Sequence, residues 1–188
     1  WGVAPHSPAV LYVGRLAAEK NLELAVTAFQ AIRLVRPDAR LILVGDGPMT
    51  PRLRARHSGF VYCGMRHGLD LAAHYASADL FLFPSLTETF GNVVLEAMAS
   101  GLPIVAFDYA AARAHVESGH IGLLAPFGDA DAFVAAATAA VRDLGTLTFM
   151  GQAARLMAAR LDSERIYDRL ETLFSNVIGG ATQCPILC

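Results

Sequence analysis

Two carboxylates, Glu88 and Glu96, and two cations, Arg15 and Lys20, are the side chains here whose setting suggests chemistry. Glu88 lies in a stretch broken by Gly91, directly ahead of a helix expected from about Asn92 to Ser100. Glu96 sits inside that helix among Val93, Val94, Leu95, Ala97, Met98 and Ala99, an apolar surround that predicts burial nearly all round. A buried, unpaired carboxylate is costly. Glu96 is therefore expected either to have a hidden partner or to open onto a cleft that takes a ligand rich in hydroxyls. The start of the same helix would aim free N–H groups and the positive end of its dipole into that cleft, a setting for an anion.

Arg15 and Lys20 share a loop led by Gly14, directly after an apolar strand. Together with the helix start at Gly91 and Asn92 they could hold a diphosphate, each charge-assisted hydrogen bond contributing about 1.5–3 kcal/mol. Taken alone, the same loop reads equally as a solvated turn with ordinary surface charges. Gly45-Asp46-Gly47-Pro48 and Gly64-Met65-Arg66 carry the same two readings, a turn or a place where a ligand approaches the backbone. Glu96 could be a structural carboxylate paired to an arginine, and Glu88 a plain surface carboxylate.

The elements that must position these residues follow from periodicity. Buried strands are expected at Ala9 to Val13, Arg40 to Val44, Phe60 to Cys63, Leu80 to Phe83, up to Val105, and through the apolar run from Ile121 to Ala125. Helical spacing runs from Leu22 to Val35, from Arg52 to His57 and from Leu69 to Ser77, with a small-residue segment and a short helix ending near Ser118. An Ala-rich helix capped at Gly128-Asp129 is expected to reach Asp143, followed by helices at about Leu147 to Arg160 and Ser163 to Ile178. Alternation of strands and helices predicts an α/β fold, a Rossmann-like parallel sheet covered on both faces. The loops after Gly14, Gly45, Gly64, Pro84 and Phe107 would then gather on one sheet edge, where such folds bind ligands.

Composition agrees. Of 188 residues 54% are hydrophobic and 17% charged, which excludes disorder and fits a doubly covered sheet. A formal net charge of −2, without a basic cluster, argues against a nucleic-acid partner. Three cysteines form neither a disulfide framework nor a zinc site, so a reducing, cytoplasmic setting is expected. No histidine pair has convincing metal-ligand spacing, and neither a metal nor a cofactor is expected. No apolar run is long enough to span a bilayer. The chain begins at Trp1 and not at Met, and is expected to be a fragment.

As a set, these motifs resemble the C-terminal half of retaining glycosyltransferases of the GT-B fold, family 4 or group 1, which use nucleoside-diphosphate sugars. The resemblance covers about Ala9 to Leu144. Its most specific part is two glutamates separated by seven residues, Glu88-TFGNVVL-Glu96, followed by Ala97-Met98-Ala99-Ser100-Gly101-Leu102-Pro103. Gly14-Arg15-Leu16 with Glu19-Lys20-Asn21, Val44-Gly45-Asp46-Gly47-Pro48, and Gly122-Leu123-Leu124 with Gly128-Asp129 also match.

The resemblance implies roles. Arg15 and Lys20 would neutralise the donor's pyrophosphate without a divalent metal, and Glu96 would accept hydrogen bonds from the ribose. Glu88 would contact the donor sugar, and the backbone at Phe90, Gly91, Asn92 and Val93 would meet sugar and distal phosphate. Gly64, Met65 and Arg66 would lie against the base, with Gly14 and Gly45 lining the pocket. The expected domain spans residues 1–160, and residues 161–188 would pack toward a missing N-terminal domain that carries the acceptor site. Ile166, Tyr167, Leu170, Leu173 and Phe174 give that last segment an apolar stripe able to mediate self-association. The acceptor would be a glycan, lipid or metabolite, with peripheral membrane association through the absent half, and the fragment alone would have little transferase activity. One departure is clear: Ala110, Ala111, Arg113 and Ala114 stand where family members often carry two glycines and then Pro-Glu. A nucleotide-sugar epimerase, a phosphorylase of the same fold and a non-catalytic nucleotide-binding module are the competing expectations.

Overall fold

The computed structural model describes residues 1–4, 6–87 and 91–161. Its elements run β1 (Ala9–Val13), α1 (Leu22–Val35), β2 (Arg40–Val44), α2 (Thr50–Arg56), β3 (Val61–Gly64), α3 (Gly68–Ala76), β4 (Leu80–Phe83), α4 (Asn92–Ala99), β5 (Ile104–Phe107), α5 (Ala110–His115), β6 (Gly122–Ala125), α6 (Ala130–Ala140) and α7 (Leu144–Ala158). The six strands form one sheet in the order β3-β2-β1-β4-β5-β6, every neighbouring pair parallel. The expected parallel α/β sheet is therefore present.

Alternation along the strands sends side chains to two separate cores. Val10, Tyr12, Leu41, Leu43, Leu80, Leu82 and Val105 pack against the α1 and α6 side, with Phe29, Ile32 and Phe133. Leu11, Val13, Ile42, Val44, Phe81, Phe83, Ile104 and Ala106 face the α4 and α7 side, with Val94, Met98 and Ala154. Nearly continuous burial of β1, β4 and β5 is what a sheet covered on both faces requires.

Three boundaries depart from expectation. The helix expected from Leu147 starts at Leu144, because the Asp143 side chain accepts from the Gly145 N–H at 2.9 Å and from the Thr146 hydroxyl at 2.7 Å. Asp143 thus caps α7 and does not end the Ala-rich helix before it, which stops at Ala140. The segment after β5 turns helical already at Ala110, whose φ of 45° places it in the left-handed region. The Asp129 cap of α6 forms as expected, accepting from the Ala132 N–H at 2.9 Å. The C-terminal segment from residue 162, with its apolar stripe, lies outside the described residues.

Helix α7 crosses the end of α4 so closely that a Cβ added at Gly151 would overlap the Gly101 carbonyl oxygen. Gly151→Ala removes a helix-interior glycine, which by propensity favours alanine by about 1 kcal/mol. Overlap with a backbone atom outweighs this, at about 3 kcal/mol for overpacking. The variant should melt several degrees below wild type by calorimetry, given about 2–4 °C per kcal/mol for a domain of this size. Gly59→Ala, where an added Cβ meets nothing within 4 Å, should be neutral.

Candidate functional site

With this strand order the chain reverses direction across the sheet between β1 and β4. At such a switch point two loops leave the carboxyl edge in opposite directions and open a crevice. Here the flanking loops are Gly14 to Asn21 after β1 and Pro84 to Gly91 after β4, which contain the sequence-identified cations and the start of α4.

Backbone contacts lock the loops on the β1 side together. The Gly14 N–H donates to the Val44 carbonyl at 3.0 Å, and the Gly45 N–H to the Gly64 carbonyl at 2.8 Å. Gly45 has φ 131°, and a Cβ there would overlap the Gly14 carbonyl oxygen, so only glycine fits. Next along, the Leu16 N–H donates to the Asp46 carbonyl and the Met49 N–H to the Leu16 carbonyl, each at 3.0 Å. Gly14, Gly45 and Gly64, singled out separately in the sequence, are one connected rim.

Lys20 closes a 3-10 turn, Ala18–Lys20, that sequence periodicity did not reveal, and Arg15 lies in the loop ahead of it. Lys20 Nζ donates to the Thr87 carbonyl at 3.2 Å and Asn21 Nδ2 to the Pro84 carbonyl at 3.2 Å, joining the β1 loop to the β4 loop across the switch point. Asn21 has φ 53°, a left-handed conformation that asparagine tolerates. The buried Ser85 hydroxyl donates to the same Thr87 carbonyl at 2.8 Å. Arg15 pairs with Glu19 at 3.2 Å, and its side chain stays 66% exposed. Surface pairs of this kind are weak, on the order of 0–1 kcal/mol.

Gly91, left-handed at φ 66°, begins α4 without a side-chain cap. The N–H groups of Asn92 and Val93 precede the first helical hydrogen bonds, which are made by Val94 and Leu95 to the Gly91 carbonyl. Asn92 is exposed and Val93 half-buried. Glu88 and Phe90 lie outside the described residues.

Glu96 corrects one expectation and meets another. Its helix is not buried all round: Val94, Ala97 and Met98 face the core, whereas Glu96 is exposed. The reason is that Asn92, Glu96 and Ala99 fall on the exposed stripe of α4, opposite the buried one, and Glu96, Ala99 and Ser100 border the groove toward α3. The partner is real: the Tyr75 hydroxyl donates to Glu96 Oε2 at 2.9 Å. Glu96 and Tyr75 line a cavity of about 300 Å³ with Gly68, Leu71, Ala72, Ala99 and Ser100. Burial first, and then the Glu96 carboxylate, push the Tyr75 phenol far above its ordinary range, so it remains a proton donor.

Gly68 brings that cavity within two residues of Arg66. Arg66 is held on its loop by Nε donation to the Cys63 carbonyl at 2.9 Å and by Asp70 at 3.0 Å, and Met65 is 65% exposed. In the loop after β5, Arg113 forms a two-point pair with Asp108, at 2.9 and 3.3 Å. Among the described residues no three His, Cys, Asp or Glu side chains are placed to hold a metal ion.

Sequence reasoning missed Tyr75, Asn21 and Thr87. Leu71 and Tyr75 at helical spacing read as core, and only the need of a buried phenol for a partner hinted at more. Asn21 acts through its side chain and Thr87 through its carbonyl, across a switch point whose pairings spacing does not encode.

A six-stranded parallel sheet in this order has the architecture of the C-terminal domain of a GT-B glycosyltransferase. Residues 7–143 match the family model described as glycosyl transferases group 1, and the chain belongs to that family. It is 37% identical over 168 residues to sulfoquinovosyl transferase SQD2 of Arabidopsis thaliana, covering 84% of this chain and 31% of that protein. It is 44% identical over 138 residues to a GDP-mannose-dependent alpha-mannosyltransferase of Mycolicibacterium smegmatis, covering 73% of this chain and 34% of that protein. The chain thus spans about a third of the length of these relatives. In fold it is similar to Anabaena HepE, solved in complex with UDP and glucose, with a TM-score of 0.76 at 23% identity over 91% of this chain and 49% of that one.

The Gly45 rim carries a pH signature. The Thr50 hydroxyl, donating at 2.6 Å, and then the Gly47 N–H, at 2.8 Å, hold the Asp46 carboxyl below its usual range. A depressed carboxylate contributes stability that is full above the unfolded-state value, about 3.9, and is lost as pH falls below it. The difference in melting temperature between wild type and Asp46→Asn should therefore be largest at neutral pH and shrink below about pH 4, read by melts across an acid series.

Proposed function

We propose that this chain is the donor-binding half of a retaining glycosyltransferase that moves a sugar from a nucleoside diphosphate to a glycan, lipid or metabolite held by an N-terminal half. The observation that carries the proposal is the crevice at the β1–β4 switch point. There the Lys20 turn is tied to the β4 loop at Thr87, and α4 starts beyond that loop at Asn92. The same helix presents Glu96 one turn further along, on the cavity it shares with α3.

In this reading Arg15, Lys20 and the N–H groups of Asn92 and Val93 receive the pyrophosphate. Their task in the reaction is to stabilise negative charge that grows on the departing diphosphate as the bond to the sugar breaks, and they are in place before it does so. Glu96 accepts from the ribose hydroxyls, and the Gly64 to Arg66 loop, two residues from the cavity, lies against the base. Gly14 and Gly45 line the pocket. Glu88 contacts hydroxyls of the donor sugar, with Phe90 and Gly91 beside it. No divalent metal or other cofactor takes part, since the cations and helix start supply the charge. Nucleotide-sugar use by the mannosyltransferase relative, and UDP and glucose in the Anabaena protein, support this assignment.

Calorimetric titration with UDP, GDP and ADP tests it. Wild type should bind at least one. Lys20→Ala and Glu96→Ala should each weaken that nucleotide about ten- to hundredfold, as expected for loss of one charge-assisted hydrogen bond. Binding of none of the three, or binding of NAD alone, would overturn the proposal.

A further inference from the structure

Glu96 is an exposed side chain with three rotatable bonds, and an acceptor for two ribose hydroxyls has to be held in one orientation before the ligand arrives. The group that holds it comes from α3. Tyr75 is 1% exposed, and its ring meets Phe81 edge to face, centroids 5.8 Å apart. Phe81 is a fully buried residue of β4 and stacks in turn on Phe83, at 5.9 Å. The phenol oxygen is therefore fixed by the sheet itself, and it donates to Glu96 Oε2 at 2.9 Å.

We propose that Tyr75 is a positioning residue for the donor site: its core-anchored hydroxyl holds one oxygen of Glu96 so that the carboxylate meets both ribose hydroxyls. The inference rests on the donor-site reading of Glu96. A carboxylate has two oxygens with about four acceptor directions, so one bond from tyrosine leaves room for two hydroxyls. A neutral donor suits the task better than an arginine, because it orients the carboxylate without supplying a competing full charge. The cavity of about 300 Å³ shared by Tyr75 and Glu96 gives the ligand access to the same carboxylate. Because burial and the neighbouring carboxylate keep the phenol protonated, the orientation persists across the working pH range.

Tyr75→Phe keeps the ring and its contact with Phe81 and deletes only the hydroxyl. The test compares wild type and Tyr75→Phe in binding whichever of UDP, GDP or ADP wild type prefers, and the counterpart lacking both ribose hydroxyls. The variant should lose about tenfold in affinity for the ribonucleotide and less than twofold for the counterpart. In a Glu96→Ala background the same change should produce no further loss, the coupling expected of two groups that act as one. Equal losses on both nucleotides would make Tyr75 merely structural, and an unchanged ribonucleotide affinity would give it no role; either overturns the proposal. Failure of wild type to tell the two nucleotides apart, or to bind either, would overturn the ribose role of Glu96 and this inference together.

Discussion

The hydrogen bonds that Lys20 and Asn21 send to the carbonyls of Thr87 and Pro84 bridge two loops that the strand order drives apart. At a switch point the chain leaves β1 toward one face of the sheet and β4 toward the other, so neither a helix nor a strand ladder connects the two loops. Without a bridge the crevice would be a gap of undefined width. Both acceptors are main-chain oxygens, and the Thr87 hydroxyl adds a bond in the other direction, donating to the Glu19 carbonyl at 3.4 Å. Ser85, buried and bonded to the same Thr87 carbonyl, fixes the loop from behind.

The opposite wall is built by the absence of side chains. Gly45 lies against the Gly14 carbonyl, and Gly47 against the Leu16 backbone, closer than any Cβ allows. The strands β1 and β2 can thus end at the same height, and their loops share hydrogen bonds through Leu16, Asp46 and Met49. The same close approach lets the Gly45 N–H reach the Gly64 carbonyl, so glycine here serves backbone pairing between loops.

Much of this was legible in the sequence, and the remainder failed for identifiable reasons. β-branched and aromatic runs marked the strands, and β1, β2 and β4 fall where Ala9 to Val13, Arg40 to Val44 and Leu80 to Phe83 predict. Charge type and spacing singled out Arg15, Lys20 and Glu96, because polar residues that interrupt apolar patterns are few in this chain. Burial of Glu96 was misjudged, since its apolar neighbours in sequence turn to the other sides of the helix, while Glu96 shares the exposed stripe with Asn92 and Ala99. Asp143 was read as the end of one helix when it caps the next, as Gly145 in the first turn hides the helical pattern. Tyr75 escaped notice because its ring satisfies the core pattern and only its oxygen does otherwise. Strand order was also invisible: periodicity identifies strands but says nothing of their neighbours.

Each end of the sheet is closed by a strand of four residues, β3 on one side and β6 on the other. On β3 the Arg54 guanidinium lies over the Tyr62 ring, 4.6 Å from its centroid, and all four residues are half-buried. So short a border offers an incoming strand few ladder positions. Lateral growth of the sheet into dimers or fibrils is thereby discouraged, and larger assemblies of this domain are left to build through helical faces or through the loops above the strands.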